Sequence, residues 1–408
     1  MIWRISVGNS KERHPLLLCG INMDELLFFI FVVLVGLIKG GPELAIIPPV
    51  LGKVFIIIGC AAILLKIVCT SYAKREWFIL ICLGLLTGIS TFHTHRMGLI
   101  VIMLLMLGAK NIKLTKMLAA FLSLHVLLFS IAVIPEVIKI MMGGNVGGMY
   151  HDRNIYGIVK VSQQFRVSMG FTHPNILQQN ICLMSILFMC FYKDRIKGWQ
   201  IAVIALVNGL FYGMTYSNTG LTIFVIFVLF YFIFNRYEKI SHFIAKYSRF
   251  IFILLVAINM LVVACFADGG WMSRLNTIMV GRLYWAHQYL AALGITFLGR
   301  DISEAGLSYM VVDNGYTYVL LRYGIIVFLV YCFSVYKLFG YLYKKGSLVD
   351  IIAVGVLHIY FIMENFVAAG LFNFTYVYLA WTLYELEVRN NTDAGPVHNK
   401  LLSRGQKY

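Results

Sequence analysis

Apolar residues in this chain fall in long runs broken by short polar segments. Many runs reach the ~17 to 25 residues an α-helix needs to cross the hydrocarbon of a bilayer. On this pattern helices are expected at roughly 24–38, 45–69, 77–92, 97–109, 117–134, 174–192, 199–215, 219–235, 250–266, 315–338, 350–368 and 371–388. That is about twelve spans when whole apolar runs are taken as helices. Backbone crossing lipid must satisfy its own hydrogen bonds, so the chain reads as all-α, a polytopic integral membrane protein. Residues 1–388 form a single transmembrane domain, and 389–408 an expected disordered tail.

Two connections break the run of short loops, at about 135–173 and about 267–314. Long loops in a compact membrane protein are usually functional or disordered. The first carries Gly143, Gly144, Gly147 and Gly148, then His151, Asp152, Arg153, Lys160 and Arg166. The second carries Arg274, Gly281, Arg282, Trp285, His287, Arg300, Asp301, Glu304, Asp313 and Asn314.

Composition supports the membrane reading, with 60% hydrophobic and 13% charged residues. A formal charge of +16 would suit a nucleic-acid partner, but its distribution points to topology instead. Basic residues gather in alternate short gaps, at Lys74 and Arg75, at Lys110, Lys113 and Lys116, and at Lys193, Arg195 and Lys197. They recur at Arg236, Lys239, Lys246 and Arg249, and at Lys337, Lys344 and Lys345. The positive-inside rule puts these gaps and both basic termini in the cytoplasm, and the two long loops outside. The polar first 23 residues read as a cytoplasmic lead rather than a cleaved signal peptide. Eight cysteines, with no C-x-x-C pair, read as buried thiols.

Arginines in the outer loops run against the topology rule and need another reason. In RVSMGFTHPN, residues 166–175, Pro174 suits a first helical position, with Thr172 or His173 as cap. The first turns of that helix carry Asn175, Gln178, Gln179 and Asn180, with Arg166 just upstream. Unpaired N–H groups, the helix dipole and a guanidinium together favour an anion, a diphosphate above all, although a juxtamembrane arginine also suits lipid phosphates. Arg282, in MVGRLYWAHQYL, is costly among apolar neighbours unless an internal carboxylate or a ligand anion faces it. Asp268 and Asp301 are the candidate internal partners, and Arg274, about two helical turns earlier, can share its face. Arg300 in LGRDIS reads as a loop residue beside Asp301 and Glu304.

Asp313, Asn314, Gly315 and Tyr316 open the tenth span. There Asp313 is either a helix cap or a base for a sugar hydroxyl, with His173 a second candidate base. Glu364 and Asn365 are placed to pair with one of the arginines. His93 and His95, beside Arg96, lack a third ligand and read as a turn rather than a metal site. There is no nucleotide-binding P-loop, no Asp-x-Asp pair and no G-x-S-x-G elbow. No metal and no cofactor is expected. Chemistry here requires an already activated substrate, such as a lipid diphosphate sugar.

These residues resemble a known family. RVSMGFTHPNILQQN is similar to the arginine-containing GF-x-x-PN element of bacterial polysaccharide polymerases of the Wzy type, relatives of the O-antigen ligases. GRLYW in the late loop and DNGYTYVLLRYGIIVFLVY in the next helix extend the resemblance. It implies a metal-independent membrane glycosyltransferase in the bacterial plasma membrane. The implied reaction joins undecaprenyl diphosphate-linked oligosaccharide repeats at the outer face, for capsule, exopolysaccharide or O-antigen. Arg166 and Arg282 are then the diphosphate-holding loop arginines, and Asp313 stands where the ligases have a histidine. His173, Asn175, Gln178, Arg274, Arg300, Asn314 and Tyr316 are the expected substrate-binding residues. In TYSNTGLTIF, Asn218 stands where the family often has arginine. A flippase and a chain-length regulator are the implied partners, with the lipid-linked oligosaccharide and membrane lipid. A ligase, or a flippase for the same lipid, is the alternative.

Overall fold

A computed structural model describes residues 17–18, 21–40, 49–153, 162–193, 195–307 and 311–391. The two-residue strands β1 (Leu17–Leu18) and β2 (Ile21–Asn22) precede α1 (Met23–Gly40), α2 (Pro49–Cys69), α3 (Lys74–Thr94), α4 (Gly98–Gly108) and α5 (Leu114–Met141). A hairpin, β3 (Gly148–Arg153) and β4 (Ser162–Val167), leads into α6 (Pro174–Phe191), α7 (Gly198–Thr215), α8 (Asn218–Arg236) and α9 (Glu238–Ala264). Next come α10 (Gly270–Ile278), α11 (Arg282–Leu293), a 3-10 turn at Ile302–Ala305, α12 (Gly315–Lys345), α13 (Leu348–Tyr360) and α14 (Thr375–Asn391).

Eight of these helices, α2, α3, α5 to α9 and α12, are long and apolar enough to cross a membrane, and α4 and α13 are shorter apolar helices. Their outward faces carry exposed Val68, Phe78, Leu206 and Leu254. Apolar surface of this extent is stable only against lipid, which makes this a multi-pass membrane protein. Inward faces of α1, α5, α6, α8, α12, α13 and α14 meet in one core that includes Phe31, Phe121, Leu177, Phe227, Tyr316, Leu357 and Tyr378.

The expected helices recur with shifted ends. Helix α5 continues through Pro135 to Met141, so the first long connection begins later than residue 135. Helix α9 starts at Glu238, which puts Lys239, Lys246 and Arg249 on the helix rather than in a gap. Helix α13 stops at Tyr360, and turns occupy 361–374 before α14. The long connections hold structure of their own, the antiparallel β3–β4 hairpin in one and α10 and α11 in the other. The protein is therefore mainly α rather than wholly so. The first 16 residues, Cys19, residues 154–161 with Lys160, and the tail from 392 lie outside the described residues.

Ion pairs mark the end of the bundle away from the hairpin. Lys110 pairs with Glu76, Lys193 with Asp350 at 2.6 Å and Lys345 with Glu385 at 2.6 Å. The buried Lys66 ammonium donates to the Lys110 carbonyl at 2.7 Å. Lys110, Lys193 and Lys345 stand where short basic gaps were expected, and Lys66 lies on α2. Candidate chemistry lies at the opposite end.

Candidate functional site

Three local features bring the arginines together. Pro174 takes the first position of α6 and His173 caps it, its Nδ1 accepting from the Asn175 amide at 3.0 Å. Alternation along β4 then turns Phe165 outward and Arg166 inward, where Arg166 is buried. Its Nε donates to the Thr215 carbonyl at 2.6 Å, and its Nη2 to Asn175 Oδ1 at 2.5 Å. Thr215 is the last residue of α7, and its hydroxyl donates to Gln178 Oε1 at 3.1 Å. Gln178 is buried and also donates weakly to the Asn208 carbonyl, at 3.4 Å.

The second feature is a break between α10 and α11. Val280 at φ 55° and Gly281 at φ 81° both take the left-handed conformation, so a new helix begins at Arg282. The third is the close approach of α12 to the turn after α13. Gly315 donates to the Phe361 carbonyl at 2.8 Å, and a Cβ there would press on Val367 and on the Glu364 and Phe361 carbonyls. Glu364 thereby faces Asp313.

Arg282 sits between them. Its Nη2 donates to Glu364 Oε1 at 2.7 Å, its Nε to Asp313 Oδ2 at 3.4 Å, and its Nη1 to Thr219 Oγ1 at 3.2 Å. Thr215 and Thr219 flank the α7–α8 turn, so Arg166 and Arg282 hold the same turn from two sides. Arg166 is also within electrostatic reach of Glu364. An arginine this buried needs compensating charge, because desolvating an isolated ion costs several kcal/mol or more. Here two carboxylates share one close guanidinium. Burial pushes the Glu364 carboxyl up to about 7, with Arg282 opposing the rise and Asp313 adding to it. Burial also lifts Asp313 above its usual range, again against the pull of Arg282.

Not every expected residue joins this centre. Arg274 is exposed on α10, beyond the break that separates it from the face of Arg282. Among the described residues no ion pair includes Arg300, and Asp301 pairs instead with Arg322 on α12. The partners of Arg282 are Asp313 and Glu364, not Asp268 or Asp301. Asn314, rather than Asp313, caps α12, and its buried side chain also bonds Asn259 and the Ile362 carbonyl. The Tyr316 hydroxyl is buried on the His358 carbonyl. Asn218 accepts from the Tyr212 hydroxyl.

Glu364 was legible as a partner for an arginine, but not as the carboxylate with the most displaced protonation. That follows from its burial beside Asp313, which local sequence does not encode. No group of three or more His, Cys, Asp or Glu side chains among the described residues stands ready to hold a metal. Together these features define a multi-pass membrane protein with an arginine–carboxylate centre at one end of its helix bundle. No protein-family model, curated protein or solved structure matches the chain.

Proposed function

We propose that this protein is a membrane glycosyltransferase that polymerises undecaprenyl diphosphate-linked oligosaccharide repeats at the outer face of the bacterial plasma membrane. The observation that carries the reading is the grip of Arg166 and Arg282 on one turn, next to two carboxylates of raised pKa. The family resemblance of the segments bearing these residues supplies the substrate class. Both termini are assigned to the cytoplasm on the charge pattern of the short loops.

In this reading a hydroxyl of one repeat attacks the anomeric carbon of another. A carbon–oxygen bond forms to the acceptor, and the bond to phosphate breaks with its electron pair on the leaving diphosphate. The hydroxyl proton passes to a carboxylate, with Glu364 better matched than Asp313, since a base works best with a pKa near the working pH. Protonation of Glu364 frees Nη2 of Arg282 for the departing diphosphate. Preorganised positive charge of this kind is usually the largest catalytic contribution.

Purified protein in liposomes, given only the lipid-linked repeat, is the test. A polymerase makes a ladder of products that Arg166→Ala abolishes, whereas a ligase makes none from a single substrate. One observation favours a second reading, transport of the same lipid. Helix α12 is interrupted at Gly324, and transporters place broken helices beside their substrate. Movement of the lipid across the liposome bilayer without chain growth would decide for transport.

A further inference from the structure

Helix α12 is not continuous. Gly324 has φ 83° and ψ 169°, and the segment 296–300 lies in the gap. The amides of Ile325 and Ile326 donate to the carbonyls of Thr296 at 2.9 Å and Phe297 at 3.4 Å, and the Arg300 amide to that of Leu321 at 3.3 Å. A side chain at Gly324 would collide with the Phe297 carbonyl, and one at Gly299 with that of Arg322. The notch is thus built from backbone that only glycine allows.

Arg322 stands two residues before the break and is 3% exposed. Its Nη2 makes two long contacts, to the Thr94 carbonyl at 3.3 Å and to Asp301 Oδ2 at 3.4 Å. Among the described residues its Nε has no partner, nor does the buried Thr296 Oγ1 on the facing segment. A buried guanidinium with an unmet donor is costly, because it loses its water without gaining a protein partner. More positive charge surrounds it. Arg96 is exposed and within electrostatic reach of Asp301 and Tyr323, and Arg300 adjoins Asp301 in the chain. Asp301 is the carboxylate paired here, while Glu304 is exposed and turned to the Asp301 amide. Cationic charge is in excess.

This notch is separate from the centre at Arg282. The two lie at opposite ends of α11, whose 12 residues span about 18 Å. Leu293, the last residue of α11, packs in a cluster with Leu321, the neighbour of Arg322.

We propose that Arg322, Arg96 and Arg300 form a second phosphate-binding site, one that takes the phosphorylated head of a lipid. Guanidinium forks match phosphate oxygens, and the unmet Nε of Arg322 is the donor such a head satisfies. Polymerisation joins two molecules of one lipid class, each with an anionic head, and the centre at Arg282 holds one. The notch seats the other, an assignment that rests on the proposed function, whereas the phosphate chemistry does not.

The test uses the full chain in neutral detergent, titrated calorimetrically with geranyl diphosphate and, separately, with short-chain phosphatidylglycerol. Wild type is expected to bind two equivalents of geranyl diphosphate. Arg96→Ala with Arg300→Ala removes one exposed and one half-buried side chain, neither of them in an ion pair among the described residues, so its melting without ligand should match wild type. One of its two binding events should weaken about tenfold or more, the loss of a charge-assisted bond. Identical isotherms for wild type and this double variant overturn the site. Weakening in the double variant, with no effect of Arg166→Ala, upholds the notch and overturns the proposed role of Arg166. If phosphatidylglycerol binds the notch and geranyl diphosphate does not displace it, the phosphate site stands and its occupant is a bilayer phospholipid, not substrate.

Discussion

Nη2 of Arg282 and Oε1 of Glu364 lie 2.7 Å apart although 82 residues separate them in the chain. The pair joins the start of α11 to the turn after α13, and each partner is mostly withdrawn from solvent. Its loss should therefore cost stability as well as function. Removing one partner of a buried pair leaves an uncompensated charge worth about 3–5 kcal/mol. Glu364→Ala, which leaves Asp313 as the remaining carboxylate, is expected at the lower end of that range. Arg282→Met with Glu364→Leu should recover much of the loss, and a double-mutant cycle of melting in detergent measures the coupling.

The raised pKa of Glu364 sets a pH dependence with a definite sign. Its folded value of about 7 exceeds its usual 4.5, so the folded state binds the proton more tightly. That contribution to stability is whole below about 4.5 and is lost as pH rises through 7. The span corresponds to about 3 kcal/mol at most, at 1.36 kcal/mol per unit. Glu364→Gln should flatten this part of a plot of melting temperature against pH. If Glu364 is the base, polymer synthesis should rise with pH through the same region and lose that rise in the variant.

Arg166 bonds through two different nitrogens, to the Thr215 carbonyl and to Asn175. Lysine carries one nitrogen and cannot span both acceptors. Arg166→Lys should therefore lose activity about tenfold or more, the equivalent of one charge-assisted bond. Asn175→Ala should reproduce part of that loss, and product ladders from liposomes compare the two.

Membrane orientation is open to a chemical label. With the hairpin end outside, a cysteine at exposed Arg274 in a background free of other exposed thiols should react with an impermeant maleimide on intact cells. One at Lys113 should react only after the membrane is opened. The reverse order would move the arginine–carboxylate centre to the cytoplasm.

Gly324→Ala tests the break in α12. The residue must hold φ 83° and would meet the Phe297 carbonyl, so destabilisation well beyond the ~1 kcal/mol of an ordinary glycine replacement is expected. Gly88→Ala, in α3 with open space around it, is the control and should be neutral or mildly stabilising.

Elements with local causes were legible in the chain. Pro174 after His173 announced the start of α6, and long apolar runs announced the helices. The β3–β4 hairpin was not, because Gly148–Arg153 and Ser162–Val167 are short, mixed in polarity and stabilised by pairing with each other. Arg322 shows the other failure. It sits in a run that reads as an ordinary span, and its meaning depends on Thr94, more than two hundred residues away. An arginine inside an apolar helix was itself the signal that could have found it. The helix break after it had no local signal stronger than a lone glycine.

The turn between α7 and α8 is pinned by one residue that precedes it and one that follows it, and the later pin is secured by Glu364 near the end of the described chain. During synthesis the centre therefore closes late, once the turn after α13 has been made. A chain halted between Arg282 and Glu364 would leave the guanidinium without its nearer counter-ion, so truncated copies should be cleared by proteolysis rather than persist as partly folded protein.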